Sequence, residues 1–221
     1  MRGLLIFDMD GVLVDVTDSY RETIIRTIAH FTGRTVTRGF IQQIKNRGGY
    51  NDDFALSFRV IRDFGFHPRY PDVIDHFQRL FLGENSDGLG LIQRERWTAR
   101  DGLFERLSSD YRLAIFTGRT REEARLTLDR FAPHIAFDPI IGNKEVDNHK
   151  PAPDGILKVR AAFPGAPALY VGDNIDDLRS ARAAQVPFIG IASPGDELVP
   201  LFLAEGARSV IDDINHLESA L

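Results

Sequence analysis

The sequence contains no cysteine, no long apolar run and no excess of positive charge, and each absence excludes a class of protein. Without cysteine, the 221-residue chain has no disulfide, zinc–thiolate site or thiol nucleophile. The first apolar run ends at Asp8, too soon for a signal peptide, and no run approaches the roughly 20 residues of a membrane span. A net charge of −5 argues against nucleic-acid binding. We therefore expect a soluble cytoplasmic protein that binds neither nucleic acid nor membrane.

Short apolar runs, each followed at once by a polar or glycine-containing turn, recur along the chain. They are Leu4–Phe7, Leu113–Phe116, Ala168–Val171 and Phe188–Ile191. A strand has this pattern when helices cover both faces of its sheet. Segments with helical spacing, such as Arg121–Phe131 and Gly155–Phe163, lie between the runs. This alternation predicts an α/β fold with a Rossmann-like parallel sheet and helices on both faces.

The alternation stops between Asp15 and about Arg94, where the spacing is helical throughout. We predict consecutive helices over Ser19–Phe31, Arg38–Asn46, Asp52–Phe64 and Pro71–Leu82. The polar, glycine-containing stretch Gly83–Gly90 is typical of a linker. We therefore predict a helical domain of residues 16–93 inserted into a core formed by residues 1–15 and 94–221.

Polar motifs follow the predicted strands, at the rim where open α/β sheets bind ligands. Asp8 and Asp10 come after a buried strand, where two like charges are costly unless a cation compensates for them. Magnesium prefers such oxygen ligands and often shares them with phosphate. The motif Thr117-Gly118-Arg119 offers a hydroxyl and a backbone N–H to phosphate oxygens at the start of a helix.

Two later motifs add a cation and further acids. Lys150 lies in a loop, where its ammonium could neutralise nearby acids and bind phosphate. Asp173 follows a predicted strand, and Asp177 returns to the same side one helical turn later. Each motif alone has an ordinary explanation, such as a helix cap, a turn or a solvated lysine. Their joint occurrence, in order and at strand ends, indicates a ligand site.

Taken together, the motifs resemble those of the haloacid dehalogenase superfamily, specifically its Mg²⁺ phosphatases with a small helical cap. The four matching motifs are Asp8-x-Asp10-Gly11, Thr117-Gly118-Arg119, Lys150-Pro151 and Gly172-Asp173-x-x-x-Asp177. The helical interval falls where that family has its cap, so the resemblance spans nearly the whole chain. Relatives that dehalogenate lack the second aspartate, and Asp10 therefore favours phosphoryl chemistry. The resemblance implies a phosphate monoesterase that acts on a small phosphorylated metabolite.

The same resemblance implies a role for each motif residue. Asp8 would be the nucleophile that forms an aspartyl phosphate, and Asp10 would be first the general acid and then the general base. The implied Mg²⁺ ligands are Asp8, the main-chain carbonyl of Asp10, Asp173 and Asp177, the last directly or through water. The groups that would hold the substrate phosphate are Thr117, Gly118, Arg119 and Lys150.

The loop after the second predicted helix supplies candidates for reading the leaving group. Lys45 and Arg47 lie beside the pair Gly48-Gly49, although basic residues before a glycine pair also fit an ordinary solvent-facing helix end. The segment Lys45–Asn51 further resembles a subgroup associated with histidine biosynthesis. The sequence leaves the oligomeric state open.

Three alternative functions use similar residues. A phosphosugar mutase of the same superfamily would return the phosphoryl group to a sugar rather than to water. A signalling receiver module also surrounds a reactive aspartate with acids, a hydroxyl and a lysine, but it is much shorter and has no cap. A non-catalytic relative that binds a phosphorylated ligand would have no need to retain Asp8, Asp10 and Lys150 together.

Overall fold

The computed structural model describes residues 1–50, 52–85 and 89–221. The chain divides into two compact units, an α/β unit of Met1–Val14 and Trp97–Leu221 and a helical unit of Asp15–Arg96. Part of the predicted linker Gly83–Gly90 lies outside the described residues, as does Asn51. None of the helices in the described ranges combines the length and the apolar character needed to cross a membrane.

The helices and strands follow one another as the sequence patterns predict over most of the chain. In chain order they are β1 (Gly3–Phe7), β2 (Val14–Asp15), α1 (Tyr20–Thr32), α2 (Arg38–Asn46), α3 (Asp53–Asp63), α4 (Tyr70–Leu82), β3 (Arg96–Trp97), α5 (Leu103–Asp110), β4 (Tyr111–Phe116), α6 (Arg121–Phe131), β5 (Phe137–Ile141), α7 (Asp154–Ala161), β6 (Ala168–Gly172), α8 (Ile175–Ala183), β7 (Phe188–Ile191), α9 (Leu198–Ala204), β8 (Ser209–Ile211) and α10 (Leu217–Ala220). Short 3₁₀ turns occupy Leu91–Arg94, Asn143–Glu145 and Ile214–His216.

The α/β unit is built on a six-stranded parallel sheet with the order β5-β4-β1-β6-β7-β8. Phe7, the last residue of β1, lies opposite Ile115 of β4 and Val171 of β6. Asp8 therefore follows a strand in the middle of the sheet. This strand, β1, lies between β4, which leads to Thr117, and β6, which leads to Asp173. The predicted α/β fold with a parallel sheet is confirmed.

Helices cover both faces of this sheet because successive side chains of a strand point to opposite sides. Leu4 and Ile6 of β1 belong to a buried cluster with residues of α7, α8 and α9. Phe7 points the other way, and its ring packs edge-on against Phe104 of α5 at 5.5 Å between centroids. All residues of β1 are buried, which explains why the run is apolar at every position.

The strands β5 and β8 were not predicted, and both lie at the edges of the sheet. Edge strands have a neighbour on one side only, so they need not be apolar at every position. In β5 the exposed Asp138 precedes Pro139, a residue that the middle of a sheet rarely tolerates but an edge does. The residues Ser209–Ile211 of β8 are all only half-buried. Apolar runs therefore identify the interior strands and miss the outer two.

The helical unit contains the four predicted helices, each within two residues of the predicted bounds. Tyr20 of α1 packs on Phe81 of α4, with 4.0 Å between the ring centroids, and Ile24 and Ile28 are fully buried on the same helix. Asp52 begins α3 by accepting hydrogen bonds from two backbone N–H groups of the first turn. The period of the apolar residues thus predicted these helices correctly.

Candidate active site

The motif residues of the α/β unit gather at the carboxyl ends of three adjacent strands. Asp8 follows β1, Thr117 follows β4, and Asp173 follows β6. The backbone N–H of Asp8 donates to the carbonyl of Val171, at 2.9 Å, and extends the ladder by one residue beyond β1. Residues far apart in sequence therefore meet at one rim because parallel strands end on the same side.

A buried ammonium group joins two of the acids. Lys150 Nζ lies 3.0 Å from Asp8 Oδ1 and 2.7 Å from Asp177 Oδ1, and only 1% of its side chain is exposed. The rings of Phe116 and Tyr170 lie within 4.8 Å and 5.4 Å of the same nitrogen. Such burial is stable only when opposite charges compensate for it. Lys150 is thus not a solvated surface lysine.

Tyr170 and Asn174 fix the orientation of Asp177. The Tyr170 hydroxyl lies 2.9 Å from Asp177 Oδ1 and 3.1 Å from the Phe116 carbonyl. The backbone N–H of Asn174 donates to Asp177 Oδ2 at 3.1 Å, as part of the capping box that begins α8. Sequence reasoning missed Tyr170, although a tyrosine inside an otherwise apolar strand was the available signal, because a buried hydroxyl needs a partner.

Three carboxylates form a group that fits a hard divalent cation. One oxygen each from Asp8, Asp173 and Asp177 lies within 4.8 Å of the other two. Gly11 has φ +75°, and a Cβ there would lie only 1.8 Å from Asp173 Oδ2, so only glycine allows this approach. An oxygen-only donor set of two buried acids and the half-buried Asp173 matches the ligand preference of Mg²⁺. Lys150 contacts the two buried acids.

The burial of these groups changes their proton affinities. Burial, with smaller contributions from Asp177 and Asp10, raises the pKa of Asp8 to about 7 although Lys150 opposes the change. Burial alone would lower the pKa of Lys150, but Asp177 and Asp8 outweigh it and raise that pKa. Burial and the same two acids hold the pKa of Tyr170 well above its ordinary value. Tyr170 is therefore a hydrogen-bond donor.

The second aspartate of the first motif is held by an arginine. Arg119 Nε and Nη2 lie 2.7 Å and 2.5 Å from Asp10 Oδ1, and Nη1 donates to Thr127 Oγ1 at 2.8 Å. The Arg119 side chain is 1% exposed, whereas that of Asp10 is 27% exposed. Arg119 was predicted to bind substrate, and the structure places its guanidinium on Asp10.

Thr117 and Gly118 form the turn between β4 and α6. Thr117 is buried, and its Oγ1 accepts a hydrogen bond from the backbone N–H of Arg119 at 3.2 Å. The residue that caps α6 is Thr120, which forms a capping box with Glu123. The ordinary explanation of Thr117 as a helix cap therefore does not apply. Thr120 was missed, although a threonine three residues before a glutamate is a known signal.

The remaining two predicted site residues belong to the helical unit. Lys45 lies near the end of α2 and forms an ion pair with Asp53 of α3, at 2.6 Å between Nζ and Oδ1. Arg47 follows α2 and is exposed. Their predicted role in recognising a leaving group stays a prediction.

Comparisons with known proteins agree with the motifs. The profile of the haloacid dehalogenase-like hydrolase family matches residues 5–191. An imidazoleglycerol-phosphate dehydratase of Phytophthora nicotianae is 32% identical over 86% of this chain, but the chain spans only 43% of that protein. A phosphoglycolate phosphatase of Agrobacterium fabrum is 28% identical over 100% of this chain and 93% of its own length.

A solved structure shares the same fold along nearly the whole chain. The structure of a protein from Bacteroides fragilis, described as a haloacid dehalogenase-like hydrolase, superimposes with a TM-score of 0.79. The match covers 98% of this chain and 100% of that one at 20% identity, so it supports the fold. Since the family profile matches most of the chain and its motif residues converge at one rim, the chain belongs to the haloacid dehalogenase-like hydrolases.

Proposed function

We propose that this hydrolase is a Mg²⁺-dependent phosphatase that cleaves a small phosphate monoester through a phosphorylated Asp8. The observation that carries the proposal is the buried Asp8 carboxylate, 3.0 Å from the Lys150 ammonium and within 4.8 Å of two further acids. A reactive carboxylate needs nearby positive charge, because the phosphoryl group that it attacks is itself negative. Lys150 supplies part of that charge.

In the first step, an oxygen of Asp8 attacks phosphorus while the bond from phosphorus to the ester oxygen breaks. Asp10 donates its proton to the departing oxygen, so that an alcohol leaves rather than an alkoxide. The Thr117 hydroxyl, the Gly118 N–H and the Lys150 ammonium hold the transferring phosphoryl oxygens. The product of this step is an aspartyl phosphate on Asp8 and a free alcohol.

In the second step, water attacks the phosphorus of the aspartyl phosphate. Asp10, now ionised, accepts a proton from the water, and the bond between phosphorus and the Asp8 oxygen breaks. Inorganic phosphate leaves, and Asp8 and Asp10 return to their starting states. The two steps therefore need one residue that can give a proton to the alcohol and then take another from water.

The donor set supports Mg²⁺ as the cofactor. Asp8, Asp173 and the main-chain carbonyl of Asp10 would hold the ion, with Asp177 directly or through water. When bound, Mg²⁺ supplies charge stabilisation to the phosphoryl oxygens. Lys150, Tyr170 and Asn174 already contact the two carboxylate oxygens of Asp177. These contacts favour coordination of the ion by Asp177 through a water molecule.

The substrate is proposed only as a class, a small phosphorylated metabolite. Of the two relatives described above, one carries phosphoglycolate in its name and the other imidazoleglycerol phosphate. The second name accords with the resemblance of Lys45–Asn51 to a subgroup associated with histidine biosynthesis. We further propose that residues 16–93 act as the cap of the family, and that Lys45 and Arg47 recognise the leaving group.

The test is release of inorganic phosphate from a panel that contains phosphoglycolate, imidazoleglycerol phosphate and a hexose phosphate, with and without Mg²⁺. We expect phosphate release that requires Mg²⁺ and that disappears in Asp8→Asn, which loses the nucleophile but almost no volume. Asp129→Asn is the matched control, because that carboxyl is exposed on α6. It should retain the wild-type rate.

Other results would point to other functions. An isomerised hexose phosphate without stoichiometric free phosphate would identify a mutase. Folded protein that binds a phosphorylated compound but releases no phosphate would identify a non-catalytic relative. Full activity in Asp8→Asn would remove this residue from the mechanism.

A further inference from the structure

The contact between Arg119 and Asp10 joins residues 109 positions apart in sequence. Arg119 belongs to the phosphate-binding motif, yet its guanidinium is buried and directed at the acid of the first motif. A buried guanidinium is costly to separate from its counter-charge, since the uncompensated ion would remain in a medium of low polarity. Arg119 is therefore placed to hold Asp10 rather than to exchange between Asp10 and a substrate phosphate.

Among the described residues, the side-chain contacts to Asp10 are on one of its two oxygens. Arg119 Nε and Nη2 both approach Oδ1, at 2.7 Å and 2.5 Å. This arrangement fixes the position of Oδ1 and leaves Oδ2 as the oxygen that can carry a transferable proton. A guanidinium suits this task because it stays protonated at all ordinary pH values and so does not compete for the proton.

The guanidinium is itself fixed from a third direction. Its Nη1 donates to Thr127 Oγ1 at 2.8 Å, and Thr127 is buried on α6. The backbone N–H of Arg119 donates to Thr117 Oγ1, within the turn that the family uses for phosphate. The position of Asp10 is thus tied to α6 and to the phosphate-binding turn.

We infer that Arg119 is a positioning residue for proton transfer. It holds Oδ1 of Asp10 so that Oδ2 faces the ester oxygen in the first step and the attacking water in the second. This inference rests on the proposed function. A positioning role differs from a merely structural one because its loss affects most the substrates whose leaving group needs a proton.

The experiment compares phenyl phosphate with p-nitrophenyl phosphate. The two are similar in size and phosphate charge but differ in how much the departing oxygen needs protonation. Phenol or nitrophenol release is measured in a single turnover with enzyme in excess and Mg²⁺ present, so that only the first step is observed. In Arg119→Met we expect about a 100-fold loss with phenyl phosphate, within the range of general acid catalysis, and a loss below about fivefold with p-nitrophenyl phosphate.

Two further variants keep the inference falsifiable. Thr127→Val removes the hydroxyl that accepts from Nη1 and should shift the ratio of the two rates in the same direction, roughly threefold to tenfold. If Arg119→Met does not fold, by circular dichroism, the Thr127→Val ratio decides the question. Arg121→Met is the matched control, because that half-exposed arginine bonds the Ile140 carbonyl instead, and it should keep the wild-type ratio.

The outcomes separate the inference from the proposed function. Equal losses with both substrates, or an unchanged ratio in folded Arg119→Met and Thr127→Val, would overturn the positioning role while wild-type turnover stands. Absence of aryl phosphate cleavage by wild-type protein with Mg²⁺ would overturn the proposed function and the inference with it.

Discussion

The two units of this protein differ in their buried ion pairs, although both also have exposed pairs. In the α/β unit, the side chains of Lys150 and Arg119 are 1% exposed and contact acids that are partly or wholly buried. In the helical unit, pairs such as Arg79–Asp75 lie along helix surfaces with both side chains more than half exposed. Exposed pairs stabilise a fold only slightly, whereas buried charges are costly to accommodate. The costly pairs coincide with the family motifs, as expected if these residues serve the proposed phosphatase chemistry.

One ion pair of the helical unit departs from this division. Lys45 and Asp53 are only 15% and 8% exposed, and they join α2 to α3. Lys45 is also a predicted contact to the leaving group. Within the helical unit, a buried charged pair thus occurs at a position that the sequence motifs associate with recognition.

The largest expected effect comes from removing the central cation of the α/β unit. Lys150→Met leaves Asp8 and Asp177 without their shared ammonium, so we expect about 3–5 kcal/mol less stability and a 10²–10³-fold loss of turnover, roughly that of one lost oxyanion donor. Chemical denaturation measures the change in stability, and phosphate release measures the change in turnover. Lys144→Met, at an exposed position on the same segment, should change neither. Retained activity in Lys150→Met would break the comparison between the units.

A second expected effect concerns the acidity of Asp8. Burial raises its pKa to about 7, so a large fraction of Asp8 is protonated at pH 6. Mg²⁺ must displace that proton, and its affinity should therefore rise about tenfold per pH unit up to pH 7 and then level off. Calorimetric titration at pH 5.5, 6.5 and 7.5 measures this. An affinity that does not change with pH would contradict the raised pKa.

The raised pKa of Asp8 also makes the stability of the metal-free protein depend on pH. A carboxyl whose pKa is raised by folding stabilises the fold fully below its unfolded pKa of 3.8, and that contribution is lost as the pH rises through about 7. Denaturation of metal-free protein between pH 4 and pH 8 should show this decline, and the decline should be absent in Asp8→Asn.

A smaller effect is expected from removing one hydrogen bond to Asp177. Tyr170→Phe removes the hydroxyl that lies 2.9 Å from Asp177 Oδ1 but keeps the buried ring. We expect a loss of about 1.5–3 kcal/mol of stability, typical of one hydrogen bond to a charged group. We also expect a higher Mg²⁺ requirement, because Asp177 is less well oriented. Phosphate release over a range of Mg²⁺ concentrations checks this. Tyr111→Phe, a half-buried tyrosine at the start of β4, is the control.

The smallest effect should come from the helical unit. Arg79→Gln removes an exposed pair between residues four positions apart on α4, and we expect at most about 0.5 kcal/mol of stability. Thermal unfolding measured in low and high salt tests this, since the wild-type pair is screened by salt. A loss comparable to that in Lys150→Met would show that exposure does not separate the two units.

The sequence predicts those features of the fold and the site that depend on local pattern. Runs such as Leu4–Phe7 are apolar because they are interior strands, and the convergence of Asp8 with Asp173 follows from parallel strands ending on one side. The edge strands β5 and β8 need not be apolar at every position, so the sequence pattern does not predict them. The local apolar pattern therefore predicts the interior strands of the sheet but not its edge strands.

The partners of the site residues depend on long-range packing and could not be predicted. The motifs identify Asp10 and Arg119 separately, but their contact arises only when the first turn meets the end of β4. The anchoring of Asp177 by Tyr170 likewise needs the inward direction of one residue in β6. The position of a motif relative to its strand predicts which side chains lie at the rim of the sheet. Which of these side chains contact one another depends on the packing of the folded chain.

The central position of β1 constrains the order in which the protein can mature during synthesis. Both of its neighbours come late in the chain, since β4 begins at Tyr111 and β6 at Ala168. The contiguous helical unit, Asp15–Arg96, is made before either of them and long before β6. The strand that leads to Asp8 is made before its two neighbours and has both of them only once β6 has been made. A truncated translation product that ends before β6 therefore contains Asp8 without Asp173 and Asp177.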